Sequence, residues 1–165
     1  MSPLSNLEEF EGCVGLGQGS VLPTQLQRLR LGSYNNSSVV LPAQLQQLRL
    51  RQCSSIAGIT ALQQLQELSL GVRFEDQGQL LRLAQLPSLQ RLVLSYCGTD
   101  QAAATAPAWQ QLRQLQELSV RVIPNTQQAD GVMCGILACS QLAKLDLRIG
   151  VILTRRLAMY RCIAG

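Results

Sequence analysis

Residues 45–59 read LQQLRLRQCSSIAGI, and the spacing of the leucines in this stretch predicts the fold. Its first six residues follow the pattern LxxLxL. Leu48 and Leu50 alternate with Arg49 and Arg51. Because successive side chains of a β-strand point to opposite faces, this alternation predicts a short strand with leucines on one face and arginines on the other. The strand is expected to end near the cysteine, where a turn carries the chain away.

The same pattern recurs five more times along the chain. The six copies start 19, 20, 24, 26 and 27 residues apart, and five of them have glutamine directly after the first leucine. Repetition at this period is typical of an architecture in which each unit packs only against its neighbours. The copies begin at Leu26, Leu45, Leu65, Leu89, Leu115 and Leu142.

The repeated pattern resembles that of the leucine-rich repeat family, over about residues 22–150. Cys53 and Cys97 stand at the ninth place of their copies, which is similar to the cysteine-containing subclass of that family. The resemblance implies an α/β solenoid shaped like a horseshoe, with a parallel sheet on its concave side. Arrays of that subclass often form the substrate-recognising part of F-box-type ubiquitin ligase receptors. The glutamine- and leucine-rich style also looks like plant and algal arrays, including those of immune receptors.

The pattern divides the chain into three parts. Residues 22–150 are expected to form the repeat domain of about six units. Residues 1–21 are interpreted as a degenerate repeat or an N-terminal cap, because Leu7 and Phe10 have the spacing of the first two leucines. Residues 151–165 lack the pattern, so they are interpreted as a C-terminal cap or an out-of-pattern tail.

The segments between the strands are expected to change along the chain. The first two steps leave no room for a helix, so turns or 3₁₀ segments are predicted behind the early strands. The later steps are longer, and apolar residues at helical spacing predict helices over residues 76–86, 100–112 and 126–140. Pro107 is expected to break the second of these helices or to restart it at Trp109.

Composition argues against several classes of protein. No stretch of 18 apolar residues occurs, and the first residues have neither a basic nor an apolar region typical of a secretory signal. We therefore expect a cytoplasmic or nuclear protein, not secreted and not in a membrane, whose six cysteines are reduced. A formal net charge of +4 without interleaved aromatic residues does not predict nucleic-acid binding.

Little in the sequence suits catalysis. The chain has no histidine, which excludes Ser-His and Cys-His arrangements. Glu67 and Glu117 could form a carboxylate pair, but two strand spacings would hold them about 10 Å apart. The glycine-rich residues 12–19 lack the lysine of a phosphate loop, and the cysteines at 134, 139 and 162 lack the spacing of a zinc site. No enzyme activity, catalytic residue, cofactor, metal or small-molecule substrate is predicted.

The expected site is the surface of the sheet that faces away from the leucines. Four arginines of the first two units are predicted to cluster there without acidic neighbours. The eighth places, which include Val72, Tyr96 and Val122, are expected to form an apolar column or to lie beneath the turn as part of the core. We interpret the surface as a binding face for a protein partner with an acidic segment, although a solvated rim remains an alternative. The candidate residues are Arg28, Arg30, Arg49, Arg51, Tyr96, Arg121 and Arg148.

Two other functions share the expected fold. One is the regulation of an enzyme, by GTPase activation or by inhibition, and the other is a place in an immune-receptor-like array. Periodicity alone does not separate them from a binding scaffold.

Overall fold

Seven parallel strands form one sheet in which the strands lie in the order of the sequence. The computed structural model describes residues 7–12, 20–34, 39–53, 56, 58–74, 77–97, 106–123, 135–136 and 139–149. The strands are β1 Glu9–Gly12, β2 Arg28–Tyr34, β3 Gln47–Cys53, β4 Glu67–Phe74, β5 Arg91–Cys97, β6 Glu117–Ile123 and β7 Lys144–Ile149. The parallel sheet expected from the repeated pattern is therefore confirmed.

The strands pair so that the leucines of the pattern lie side by side. Leu48 of β3 is paired with Leu29 on one side and with Leu68 on the other, and Leu92 and Leu118 continue the row. All five side chains are at most 2 % exposed, as the alternation predicted. Burial of this kind contributes roughly 1.5–3 kcal/mol for each leucine, so the aligned leucine rows are the main source of stability.

The same reverse turn precedes six of the strands. The backbone N–H of Leu45 donates to the carbonyl oxygen of Pro42 at 3.2 Å, which closes a four-residue β-turn. The equivalent bonds are 3.1–3.4 Å long. The donors are Leu26, Leu45, Leu65, Leu89, Leu115 and Leu142, the first leucines of the six units.

A second hydrogen-bond motif fixes where each strand meets its neighbour. The carbonyl oxygen of Gln46 accepts the backbone N–H groups of Gln66 and Glu67, at 2.8 and 3.0 Å. The same motif occurs between every consecutive pair of strands, with distances from 2.8 to 3.0 Å. In the first pair the acceptor is Glu8, the residue after Leu7. Strand β1 thus has the hydrogen bonding of the full units, although its sequence keeps little of their pattern.

Helices occur only behind the later strands among the described residues. Helix α1 spans Gln77–Leu83, within the predicted segment 76–86, and helix α2 spans Ala106–Gln111. Leu80 and Leu83 of α1 are buried, and α1 contacts both α2 and β4. No described residue between β2 and β4 is helical. The predicted change from turns to helices is confirmed for these segments, whereas most of segment 126–140 lies outside the described residues.

Pro107 is the second residue of helix α2, where proline is tolerated because the first turn of a helix needs no donor from it. The expected restart at Trp109 is wrong, because the helix already includes residues 106–108. Residues 100–105 lie outside the described residues, so the expected break before Pro107 stays a prediction. Trp109 itself is fully buried.

Two strands contain one residue more than the pattern implies. The register between β4 and β5 shifts after Leu70, so that Arg73 rather than Val72 pairs with Tyr96. The register between β6 and β7 shifts after Val120. Each shift is a β-bulge, in which two residues face one on the partner strand. The predicted eighth-place column is therefore wrong, because it assumed an uninterrupted register.

The second bulge changes the pairing in the same way. Ile149 pairs with Ile123 instead of Val122. The bulge in β4 also brings Phe74 beside Cys97.

Burial decreases at the last strand. Leu145 and Leu147 of β7 are partly buried, whereas Leu92 and Leu94 of β5 are completely buried.

Within the part of the chain that the structure describes, no helix is both long and apolar enough to cross a membrane.

Candidate functional site

The face of the sheet opposite the leucines carries two rows of residues that run across the strands. Side chains alternate along a strand, so the residues beside each buried leucine lie on this face. The charge row consists of Glu9, Arg28, Gln47, Glu67, Arg91, Glu117 and Lys144. The middle row, two residues further along each strand, consists of Glu11, Arg30, Arg49, Ser69, Val93, Ser119 and Asp146.

The charge row is held together by ion pairs between neighbouring strands. Arg91 contacts Glu67 at 3.7 Å and Glu117 at 3.4 Å, and Lys144 contacts Glu117 at 3.6 Å. The Arg91 and Glu117 side chains are 43 % and 40 % exposed, so each pair contributes at most about 1 kcal/mol. The row neutralises itself and offers little free charge to a ligand.

Glu67 and Glu117, the possible carboxylate pair of the sequence, are separated by an arginine in this row. Arg91 lies between Glu67 and Glu117 and bridges them. The same guanidinium contacts both carboxylates, at 3.7 and 3.4 Å, so they do not face each other across an open site. The alternative of a carboxylate pair with catalytic function is therefore not supported by the geometry.

Arg28 and Arg30 have acidic neighbours, contrary to the sequence prediction. Arg28 contacts Glu9 at 3.4 Å, and Arg30 contacts Glu11 at 3.4 Å. The physical reason is β1, which pairs with β2 and places both glutamates beside these arginines. The signal was present in the sequence, because each glutamate precedes its arginine by 19 residues, the step between the first two units.

Arg49 and Arg51 remain as an unneutralised pair on the middle of the face. Both side chains are exposed, and neither forms an ion pair with any described residue. The neighbours of Arg49 in its row are Arg30, already paired with Glu11, and Ser69. We call Arg49 and Arg51 the arginine pair.

Glycines flank Arg51 on both adjacent strands. Gly32 lies opposite Arg51, between the registered pairs Leu31–Leu50 and Ser33–Gln52. Gly71 lies on the other side, where an added Cβ would overlap the backbone carbonyl of Arg51. On the two strands adjacent to β3, therefore, no side chain stands directly beside Arg51.

A shallow depression lies next to Arg49. Arg49, Ser69 and Val93 line it together with the ion pair between Glu67 and Arg91. The depression is small because leucines close its floor, so it suits the end of one side chain rather than a separate small molecule. Guanidinium and hydroxyl donors at its wall can bind a carboxylate.

The other candidate residues divide into three cases. Arg121 is exposed and forms no ion pair within the described residues. Arg148 contacts Asp146 on its own strand at 3.8 Å, and Ser119 donates to the same carboxylate at 3.3 Å. The side chain of Tyr96 lies outside the described residues, so its predicted role as an anchor stays a prediction.

Cys53 and Cys139 form no disulfide among the described residues, in line with the expected reduced state. Cys53 is buried, whereas the side chain of Cys97 lies outside the described residues. The Cys139 thiol donates to the backbone carbonyl of Trp109 at 2.9 Å, and burial raises its pKa. Among the described residues, no three potential metal ligands come together; Cys134 and Cys162 are not described.

No protein-family model and no curated protein matches this chain. The sheet and its exposed face are therefore the features that bear on function.

Proposed function

We propose that this chain is a leucine-rich repeat solenoid whose sheet forms the concave side of a horseshoe. The order of the strands supports the proposal, because each unit adds one strand beside the previous one. The recurring turn and the paired hydrogen bonds at each strand start also support it, since both recur with the units. Strand β1 then belongs to a degenerate first unit rather than to a separate cap.

We further propose that the protein is a non-enzymatic scaffold that binds a protein partner on this face. The arginine pair is the observation that carries the proposal. Cations on a sheet face are usually neutralised by neighbours, and the charge row shows how this chain achieves that. Arg49 and Arg51 on β3, like Arg121 on β6, have no such partner among the described residues, and two unpaired cations on one strand are a place where a partner could supply the missing carboxylates.

A selection from a displayed library of random peptides tests the proposal. Enriched peptides are measured against a face variant, Ser69→Trp with Ser119→Trp, which fills the middle row. The matched control is Gln63→Trp with Gln85→Trp, because both glutamines are exposed and lie away from the face. Circular dichroism and urea titration of both variants verify folding.

Binding should weaken by at least about tenfold in the face variant and stay within about twofold in the control. Enriched peptides that bind both variants equally would place the contact elsewhere. A selection that enriches no peptide would overturn the proposed function.

A further inference from the structure

We propose that the face binds an extended acidic segment whose carboxylates alternate along the chain and pair with Arg49 and Arg51. This inference rests on the proposed function and specifies the chemistry of the partner. Three observations carry it: the charge balance of the face, the spacing of the arginine pair and the small residues beside it.

Three arginines of the face, Arg49, Arg51 and Arg121, form no ion pair among the described residues, and only Arg49 and Arg51 stand two residues apart on one strand. On β2, Arg28 and Arg30 contact Glu9 and Glu11. On β5, Arg91 contacts two glutamates. The arginine pair contacts no glutamate among the described residues. It places two positive charges on the exposed face of β3, two residues apart. Two close guanidinium groups repel each other, and an approaching carboxylate removes that repulsion.

The spacing of the pair matches an extended partner. Residues two apart on a strand lie about 6.6 Å apart, so Arg49 and Arg51 stand at that distance along β3. Alternate residues of an extended peptide have the same spacing and point to the same side. A segment lying along β3 therefore brings one carboxylate to each arginine without bending.

Small residues leave room for such a segment. Gly32 and Gly71 flank Arg51, and Ser69 follows Arg49 in the middle row. The shallow depression beside Arg49 holds the hydroxyl of Ser69, which can donate a further hydrogen bond to the first carboxylate. A carboxylate accepts two bonds from one guanidinium, so both arginines can bind in the bidentate way.

The surrounding charges disfavour a nucleic acid. Glu67 lies in the depression, and Glu11 lies in the middle row two strands away from Arg49. The face also offers fewer free cations than phosphate-backbone binding normally uses.

Fluorescence anisotropy with labelled synthetic peptides tests the inference. The probe is (Glu-Ser)₄, with four carboxylates at alternate positions. The matched peptide (Glu-Ser-Ser)₄ has the same charge but the wrong spacing, and (Gln-Ser)₄ has no charge. We expect (Glu-Ser)₄ to bind at least about fivefold more tightly than (Glu-Ser-Ser)₄, and (Gln-Ser)₄ not to bind. Binding should weaken as salt rises from about 0.05 M to about 0.5 M.

Variants assign the binding to the arginine pair. Arg49→Gln and Arg51→Gln should each weaken (Glu-Ser)₄ binding by at least about fivefold. The matched controls are Arg30→Gln, whose cation is already paired with Glu11, and Arg113→Gln in an exposed turn. The affinity of both controls for (Glu-Ser)₄ should stay within about twofold of that of the unchanged protein. All four variants should have nearly the same urea midpoint, because these side chains are exposed.

Several outcomes would overturn the inference. Equal affinity for the two acidic peptides would show that the spacing of the carboxylates does not matter. Unchanged binding of (Glu-Ser)₄ by Arg49→Gln would show that the peptide binds elsewhere. Tighter binding of an oligonucleotide with four phosphates would favour a nucleic acid. If the peptide library instead yields face-dependent binders without acidic residues, the proposed function stands and only this inference fails. If nothing binds the face, both fail.

Discussion

At the scale of single residues, adjacent positions of one strand have opposite roles. Leu68 is 1 % exposed, while Ser69 beside it lies on the opposite face. Replacing Leu68 with Ala should lower the free energy of unfolding by about 2–5 kcal/mol, through lost burial and a cavity. Ser69→Ala should change it by less than about 0.5 kcal/mol. Urea titration of both variants measures the difference, and equal costs would show that the strand faces are assigned wrongly.

Gly71 is constrained by a backbone rather than by a side chain. A Cβ at this position would overlap the carbonyl of Arg51, and a backbone atom of a paired strand cannot move aside. Gly71→Ala should therefore destabilise the protein by about 1–3 kcal/mol, the usual cost of overpacking. Ser95→Ala on the neighbouring strand is the control and should be nearly neutral. Unchanged thermal unfolding of Gly71→Ala would contradict the close approach of β3 and β4.

The alternation of residue types could predict the leucine core and the exposure of Arg49 and Arg51. It could not predict the need for glycine at residue 71, because this need arises from the backbone of another strand. The neighbours of Arg28 and Arg30 were missed for a different reason. The segment EFEG has one aromatic and no leucine, so it does not fit the leucine pattern, although its glutamates precede the two arginines by the 19-residue step of the first units.

Buried Tyr34 and partly buried Cys139 should make stability depend on alkaline pH. Burial raises the pKa of the Cys139 thiol, and burial followed by the charge of Cys53 raises the pKa of the Tyr34 hydroxyl. Both groups are neutral when protonated, so the folded state holds these protons more tightly than the unfolded state. Their contribution to stability is complete at pH values below the pKa values of the unfolded state. It is lost as pH rises through the pKa values of the folded state.

The free energy of unfolding should therefore fall between about pH 7.5 and about pH 10.5. The fall should be smaller in Cys139→Ala and in Tyr34→Phe than in the unchanged protein. Urea titration at the two pH values tests this expectation. A fall of the same size in all three proteins would assign the pH dependence to other groups.

At the scale of strands, the charge row links β4, β5, β6 and β7. Arg91→Glu would place three carboxylates in adjacent strands where one arginine now joins two glutamates. We expect a lower urea midpoint at low salt and a partial recovery at about 1 M salt, because screening reduces repulsion between exposed charges. Arg113→Glu, in an exposed turn without an ion pair among the described residues, should have a smaller effect.

The bulges in β4 and β6 mark the limit of prediction at this scale. Each inserts its extra residue after the last leucine or valine of the pattern, at Leu70 and Val120. The pattern fixes the register only up to those residues, because the core requires apolar side chains there. Beyond them the chain can gain a residue without moving any leucine, and the sequence shows no period that would reveal it.

At the scale of the whole molecule, the proposed solenoid should accept an additional unit. A second copy of residues 45–64, inserted before Leu65, preserves the Gln-Leu junction at both ends. Stability in such architectures comes from contacts between neighbouring units, so the longer protein should fold with an unchanged or higher urea midpoint. Insertion of the same twenty residues in shuffled order is the control and should destabilise the protein. A loss of cooperative unfolding in the duplicated protein would contradict the solenoid.

The order of the strands has a consequence for the synthesis of the protein. Each strand pairs with the strand that precedes it in the chain, and paired residues are only 19 to 27 positions apart. A strand that leaves the ribosome therefore finds its partner already made and does not wait for a distant segment. Structure can grow from the N-terminus at the pace of translation, with one leucine row exposed at the growing edge until the next unit covers it.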